Sequence, residues 1–227
     1  MFKYRFFQVI LAIAVVMLIV SSAVFISFQG VNISEAEYTS EMTGRTFETD
    51  GADGSETALT EFEAWLEYSI IADGLKETGN NVDFDKGNVK LCDYNLTQLR
   101  QLKKVKDEAE RMMFLSVILL IIGFLAVKKR RMYECVVWGG VAASVIGMVS
   151  LILLAVSGSG IFYGVREMVF KGRYDVFFSG DDRLISLIPD NLGLRMFLIY
   201  TGVILAGLVI TIIVRLISWR KTQPHKF

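Results

Sequence analysis

Four uncharged apolar runs govern what this 227-residue chain can become. They are Phe6 to Phe28 (23 residues, with one Gln), Met112 to Val127 (16), Cys135 to Val156 (22) and Met196 to Val214 (19). About 20 apolar residues cross a ~30 Å hydrocarbon core as a helix. The first, third and fourth runs meet that length. The second is short, but Arg111 and Lys128 flank it and can extend their charges to the two interfaces. Leu96, Leu99, Leu102 and Val105 recur every three residues ahead of it, which predicts an amphipathic stalk feeding the span. The expected fold class is an all-α integral membrane protein: four transmembrane helices with a helical acidic extracytoplasmic cap.

Basic residues near the span ends set the orientation. Lys3 and Arg5 precede the first span, and Lys128 to Arg131 fill the turn between spans two and three. Arg215, Arg220, Lys221 and Lys226 follow span four. With four spans, all three groups share one side, the cytoplasm of a bacterial cell membrane, with both termini inside. A cleaved signal peptide on three spans is the alternative; the first run is long for that role and no A-x-A-like site follows it. The divisions are then residues 1–28 (first span), 29–111 (outer loop one with its stalk), 112–156 (spans two and three with their basic turn), 157–195 (outer loop two) and 196–227 (fourth span and tail).

Composition removes several functional classes. Twenty-four Lys plus Arg offset twenty-four Asp plus Glu, so no overall charge favours nucleic acid. The single histidine, His225, and two cysteines leave no metal site and no cofactor to expect. Cys92 falls outside and Cys135 at the inner start of span three, too far apart to pair. No charge interrupts any span, which argues against a proton relay or ion path. Small residues at four-residue spacing on span three (Gly139/Ala143, Gly140/Ser144, Ala143/Gly147) and on span four (Gly202/Ala206) predict that these two spans pack together. The same pattern serves homodimers, so oligomeric state stays open.

Outer loop one is acidic. From Gln29 to Leu99 there are 15 acidic residues against Arg45, Lys76, Lys86 and Lys90. A basic collar (Arg100, Lys103, Lys104, Lys106, Arg111) closes the loop. It suits either anionic head groups or simple solvation with extended basic side chains. A short helix is expected over Glu56–Ala72, with Leu59, Phe62, Trp65, Leu66 and Ile70 on its apolar stripe. Asp50, Gly51, Asp53 and Gly54 read as a turn without the register of a calcium loop.

Outer loop two is the segment most suggestive of chemistry. Gly172 to Arg183 is dense in polar groups, Leu184-Ile185 follows, and Pro189-Asp190-Asn191 reads as a helix N-terminus before span four. Phe177-Phe178-Ser179-Gly180-Asp181-Asp182, Leu184-Ile185 and Pro189-Asp190 resemble the second outer loop of the bacterial four-span membrane family that includes the lipoprotein intramolecular transacylases. Gln101-Leu102-Lys103-Lys104-Val105-Lys106 is similar to the end of that family's first loop. The four-span layout matches over nearly the whole chain, and the motifs match best from Phe170 to Val214.

The resemblance implies a membrane lipid or a diacylated lipoprotein as partner. It also implies movement of an acyl chain from the glycerol of a diacylglyceryl-cysteine to that cysteine's own α-amine. The family's two functional histidines fall at Gln101 and Tyr174, and neither is histidine here. Histidine titrates near neutral pH, glutamine does not titrate, and tyrosine titrates near 10. The candidate catalytic residues are therefore Tyr174, Asp181, Asp182 and Gln101. Arg173 and Arg183 are the candidates for oxyanion stabilisation, and Phe177 and Phe178 for binding the lipid. Asp175 is a further possible base. The alternatives are a polar loop capping a helical bundle, and a non-enzymatic membrane binding or assembly factor that engages a partner through its acidic outer domain.

Overall fold

The computed structural model describes residues 2–44, 47–50, 56–78, 82–84, 86, 87, 89, 91, 93–126, 129–155, 187–189 and 191–222. In chain order the elements are α1 (Phe2–Ser27), a 3-10 turn (Phe28–Val31), α2 (Glu35–Met42), β1 (Phe47–Asp50), β2 (Glu56–Leu59), α3 (Glu61–Lys76), α4 (Asp93–Ala126), α5 (Lys129–Ala155) and α6 (Leu192–Thr222). Among the described residues, four helical stretches are long and apolar enough to cross a membrane: Phe6–Val31, Asn95–Ala126, Met132–Ser150 and Leu192–Ser218. Each carries one of the expected runs, and the fold class is the predicted four-span helical one. The amphipathic stalk is the first part of α4, continuous with the second span.

The chain divides into two compact units. The first contains α1 to Ile26, α4 from Glu108, α5, and α6 from Leu198. Its outward surface is apolar: Leu125 is 86% exposed and Trp138 71%. Such a surface belongs in lipid rather than water. Lipid tails are as apolar as leucine, so the helices gain by close backbone approach instead of by hydrophobic burial. Glycines on α5 supply that approach. A Cβ at Gly139 would stand 2.6 Å from the Ala12 carbonyl oxygen on α1. At Gly140 it would lie 2.7 Å from Thr211 Cβ, and at Gly147 2.5 Å from Ile204 Cγ2, both on α6.

Spans three and four are thus a contact pair, as their small residues predict, with one difference. Gly202 has open space around it, and both Gly202 and Ala206 are exposed. On α6 the contact is made by Thr211 and Ile204. At the other end, Cys135 and Leu11 are buried together with Phe7, Leu120 and Met132 packed against them.

Five hydroxyls within these spans bond to their own helices. Ser116, Ser144, Ser150 and Thr211 donate to Met113 O, Gly140 O, Ile146 O and Gly207 O at 2.7, 2.8, 2.9 and 2.8 Å. Ser21 does the same to Met17 O. Hydroxyls closed onto the preceding turn add no interhelical relay.

The second unit holds residues Ser27–Asp107 and the start of α6 to Phe197. Helix α3 starts later than the sequence stripe suggests, because Glu56–Leu59 is a strand. It pairs antiparallel with Phe47–Asp50, Phe47 opposite Leu59 and Asp50 opposite Glu56. The helix is set by a capping box: Thr60 Oγ1 accepts from Glu63 N at 3.3 Å, and Glu63 Oε2 accepts from Thr60 N at 2.8 Å. Those bonds favour the ionised carboxylate, so Glu63 sits below the usual carboxylate range, chiefly through its bond from the Thr60 backbone. The turn expected at Asp50–Gly54 falls mostly outside the described residues.

The faces of two helices also differ from expectation. On α3 the buried residues are Ala64, Glu67, Tyr68, Ile71, Ala72, Gly74 and Leu75, while Phe62 and Leu66 are exposed. On the stalk, Leu99 is buried but Val105 is exposed; Asn95, Gln98, Lys103, Lys106 and Asp107 turn inward with Leu99. A strict three-residue repeat loses about 60° per step on a helix of 3.6 residues per turn. Three steps from Leu96 to Val105 therefore carry the repeat from one side to the opposite one.

The inward lysines have a purpose. Lys103 Nζ donates to Glu77 O at 2.5 Å, and Lys106 Nζ donates to Lys76 O at 3.0 Å, at the carboxyl end of α3. Asp107 accepts from both ammonium groups at 3.4 Å. Cations on the last carbonyls of a helix complement its dipole and satisfy acceptors that the helix cannot.

Candidate functional site

The second unit carries a partly open apolar cavity of about 430 Å³. The 3-10 turn contributes Phe28 and Val31, α3 contributes Tyr68, Ile71 and Leu75, and α4 contributes Leu99 and Leu102. Ile188, Pro189, Leu192, Gly193 and Met196 add to the wall. Pro189 lacks an N–H and cannot continue a helix backwards, and its carbonyl accepts from Leu192 N at 3.1 Å as α6 begins. Arg195 N bonds to Asn191 O at 2.9 Å in the first turn. The helix N-terminus expected after Pro189 is therefore present.

Among the described residues, Tyr68 is the one lining side chain with a hydroxyl. It donates to Val31 O, and its ring packs 5.2 Å from that of Tyr38. Burial, then the neighbouring Tyr38, raises its pKa well above the ordinary 10; Arg195 opposes the shift, while Glu41 and Glu37 add to it. A hydroxyl so placed stays protonated and committed to Val31, so it offers little as an acid or base.

A second tie holds the segment before α6. Tyr38 Oη donates to Leu187 O at 2.9 Å, and Arg195 Nη1 forms an ion pair with Glu37 Oε1. One turn beyond Glu37, the Oε2 atom of Glu41 is buried and lacks a hydrogen-bond partner among the described residues. These groups were not picked out from the sequence. Nothing in the acidic loop distinguishes Glu37 or Glu41 from its other carboxylates; Arg195, a charge at the edge of span four, is the one local signal that a counter-ion is needed.

Of the predicted site residues, Gln101 is described. It lies half-buried on α4 beside Leu102, one turn after Gln98. Gln98 is buried, and its Nε2 lacks a hydrogen-bond partner among the described residues. Tyr174, Asp181, Asp182, Arg173, Arg183, Phe177 and Phe178 lie outside the described residues, as does Asp175. No group of three or more metal-ligating side chains occurs among the described residues.

No family model and no curated protein matches the sequence. Solved structures do match. The membrane integral lipoprotein intramolecular transacylase Lit from Bacillus cereus aligns over 96% of this chain and 96% of its own, with a TM-score of 0.70 and 12% identity. The chain shares the fold of that four-span membrane protein. Two variants of the Bacillus cereus protein, with a histidine replaced by arginine or by alanine, align at a TM-score of 0.68 over 96% of this chain. They cover 92% and 94% of their own chains, at 12% and 13% identity. The transacylase fold agrees with the resemblance carried by Phe177 to Pro189 and by the four-span layout. At this identity the likeness is one of architecture, and it places the chain among multi-pass membrane proteins.

Proposed function

We propose that this chain binds the lipidated N-terminus of a lipoprotein at the outer leaflet, with an acyl chain held in the cavity of its second unit. The observation that carries this reading is the cavity itself. Its volume lies within the ~300–1,000 Å³ typical of ligand pockets, and its wall is almost entirely hydrocarbon. It includes Val31, the last residue of the first candidate span, and Leu192, the first of the last. An apolar ligand from a bilayer suits such a wall better than a soluble polar metabolite. The transacylase fold supports a lipidated peptide as that ligand, whereas the assembly-factor alternative gains no support from it.

Acyl transfer on this fold has a simple balance. The cysteine α-amine, as free base, attacks the ester carbonyl carbon; a C–N bond forms and the C–O bond to glycerol breaks. The ammonium proton ends on the departing glycerol oxygen. Asp181 or Asp182 would take a proton from the attacking nitrogen, Tyr174 would give one to the alkoxide, and return of the proton from the carboxylic acid to the tyrosinate would restore both; Arg173 or Arg183 would steady the oxyanion. Gln101 can only position, by hydrogen bonding. Phe177 and Phe178 would contact the lipid. With neither histidine present, the proton transfers are poorly matched to neutral pH, so binding outlasts catalysis in this reading.

The orientation belongs to the same proposal, with both termini cytoplasmic. A Ser55→Cys probe in the Cys92→Ser chain should react with an impermeant thiol reagent in intact cells; protection would reverse the orientation. For chemistry, purified protein is incubated with a diacylated lipopeptide and the products are weighed by mass spectrometry. The native chain should bind the lipopeptide and give little N-acylated product. Gln101→His with Tyr174→His should restore product, and either change alone should do much less, because paired acid–base groups act as a unit. Each such group is worth roughly 10²–10⁴ in rate, well within detection. Product from the native chain that survives both Tyr174→Phe and Asp181→Asn would place the chemistry elsewhere. Absence of lipopeptide binding would refute the proposal.

A further inference from the structure

The wall of the cavity is unevenly covered. Phe28, Val31, Tyr68, Ile71, Leu75 and Leu99 line it, and each is at most 6% exposed. The lining residues that stay half-buried or exposed are Leu102 of α4, Ile188, and Leu192, Gly193 and Met196 of α6. Among the described lining residues, none of these partly covered ones comes from α3 or the 3-10 turn. Those two elements therefore form the floor, and the opening lies between Leu102 and the first two turns of α6.

Leu192 and Met196, four residues apart, share one side of α6. Gly193 follows about 60° round the helix from Met196. It lines the cavity and is exposed, and a Cβ built on it would meet nothing within 4 Å. The lip is thus bare at this point, where a larger residue would stand in the gap. Two bonds to α2 hold the lip in place: Tyr38 Oη donates to Leu187 O at 2.9 Å, and Arg195 pairs with Glu37.

We infer that one acyl chain enters the cavity end-on between Leu102 and Gly193, with its methyl end on the floor and its carbonyl at the mouth, and that the bare Gly193 admits it. The inference rests on the acyl-chain reading above and specifies its route and direction. The direction follows from solvation. Tyr68 Oη, committed to Val31 O, is the one polar side-chain group among the described lining residues. An ester, an ammonium or a peptide drawn onto that floor would give up its hydrogen bonds to water without replacement. Gln101 adjoins Leu102 and Arg195 adjoins Met196 in the sequence, so each lip has a polar neighbour for the carbonyl end.

The test uses the full chain in phosphatidylcholine vesicles and two diacylated lipopeptides. One carries a diazirine at the methyl end of an acyl chain, the other beside the ester. Photoadducts are mapped by peptide mass spectrometry and counted only where unlabelled lipopeptide competes them away. The methyl-end probe should mark Ile71, Leu75 and Leu99, and the ester-side probe Leu102 and Met196. Gly193→Trp should cut the floor adducts by roughly tenfold or more, the scale on which one surplus group discriminates in an apolar pocket. Gly193→Ala should cut them far less. Leu102→Trp narrows the mouth from the other lip and should act like Gly193→Trp, so the decision does not hang on the folding of one variant. Leu194→Trp is the control, the same indole on the same turn at a residue that is 56% exposed and does not line the cavity. Undiminished floor labelling in the two lip variants, or an equal loss in Leu194→Trp, would overturn the route. Exchange of the two probes' targets would overturn the direction. Absence of competed adducts on both floor and lips of the native chain would refute the acyl-chain reading itself, and this inference with it.

Discussion

Alanine at Gly140 would drive a methyl group of α5 into Thr211 of α6. The new Cβ would lie 2.6 Å from Thr211 Cγ2 and 2.7 Å from its Cβ, with the hydroxyl oxygen also in the way. Overpacking of this kind costs about 1–3 kcal/mol. The obstruction is a side chain, so the cost should be removable. Thr211→Ala is insufficient, because its own Cβ stays 2.7 Å away. Thr211→Gly clears the space at about 0.8–1.0 kcal/mol of helix propensity. On that background Gly140→Ala should be neutral or slightly favourable, since alanine is the better helix former. The cycle then shows a coupling of about 1–3 kcal/mol. Gly139→Ala is the control: its new methyl meets the Ala12 carbonyl oxygen at 2.6 Å, and backbone cannot be trimmed. Unfolding of the four proteins in detergent, followed by circular dichroism against added dodecyl sulfate, reads the cycle. Strict additivity of Gly140→Ala and Thr211→Gly would refute the contact between α5 and α6.

Tyr38→Phe should lower stability by about 1–3 kcal/mol, because it leaves the Leu187 carbonyl without its donor while the ring packing survives. The same dodecyl sulfate titration checks it, and unchanged stability would show that water replaces the bond. The α3 cap gives a pH signature. Glu63 is held below its usual value, so its contribution is full above the ordinary 4.5 and is lost as pH falls through the lowered folded value. Amide exchange at the first turn of α3, corrected for its intrinsic pH dependence, should therefore lose protection below about pH 4.5 in the native chain. Protection should be lower and flatter in Thr60→Ala.

The spans were legible because an uninterrupted apolar run of bilayer length has few other outcomes, and Pro189 marked the start of the last one. The hairpin was not, since Glu56–Leu59 adjoins the stripe of α3 and reads as its first turn. Thr60-Glu61-Phe62-Glu63 held the corrective signal, a capping box that starts the helix at Glu61. The stripe itself misled: Phe62 and Leu66 are apolar on a face that avoids the core, and Glu67 is charged on the face that forms it. Lys103 and Lys106 read as a solvated collar, because only the tertiary fold brings the end of α3 to them. The cavity gathers residues from four separate stretches, and no local pattern announces it. Loop two reads as a motif from Phe177 to Pro189, but of that stretch only Leu187, Ile188 and Pro189 are among the described residues.

The central claim is that an acyl chain occupies the cavity of the second unit. A diacylated lipopeptide carrying a diazirine in one acyl chain, irradiated with the native chain in vesicles and mapped by peptide mass spectrometry, tests it directly. Adducts should concentrate on Leu99 and Leu102 of α4 and Met196 of α6, and unlabelled lipopeptide should compete them away. Adducts spread over the lipid-facing Leu125, Trp138 and Ile152, with no competition, would mean that the lipopeptide meets this protein only as bulk lipid.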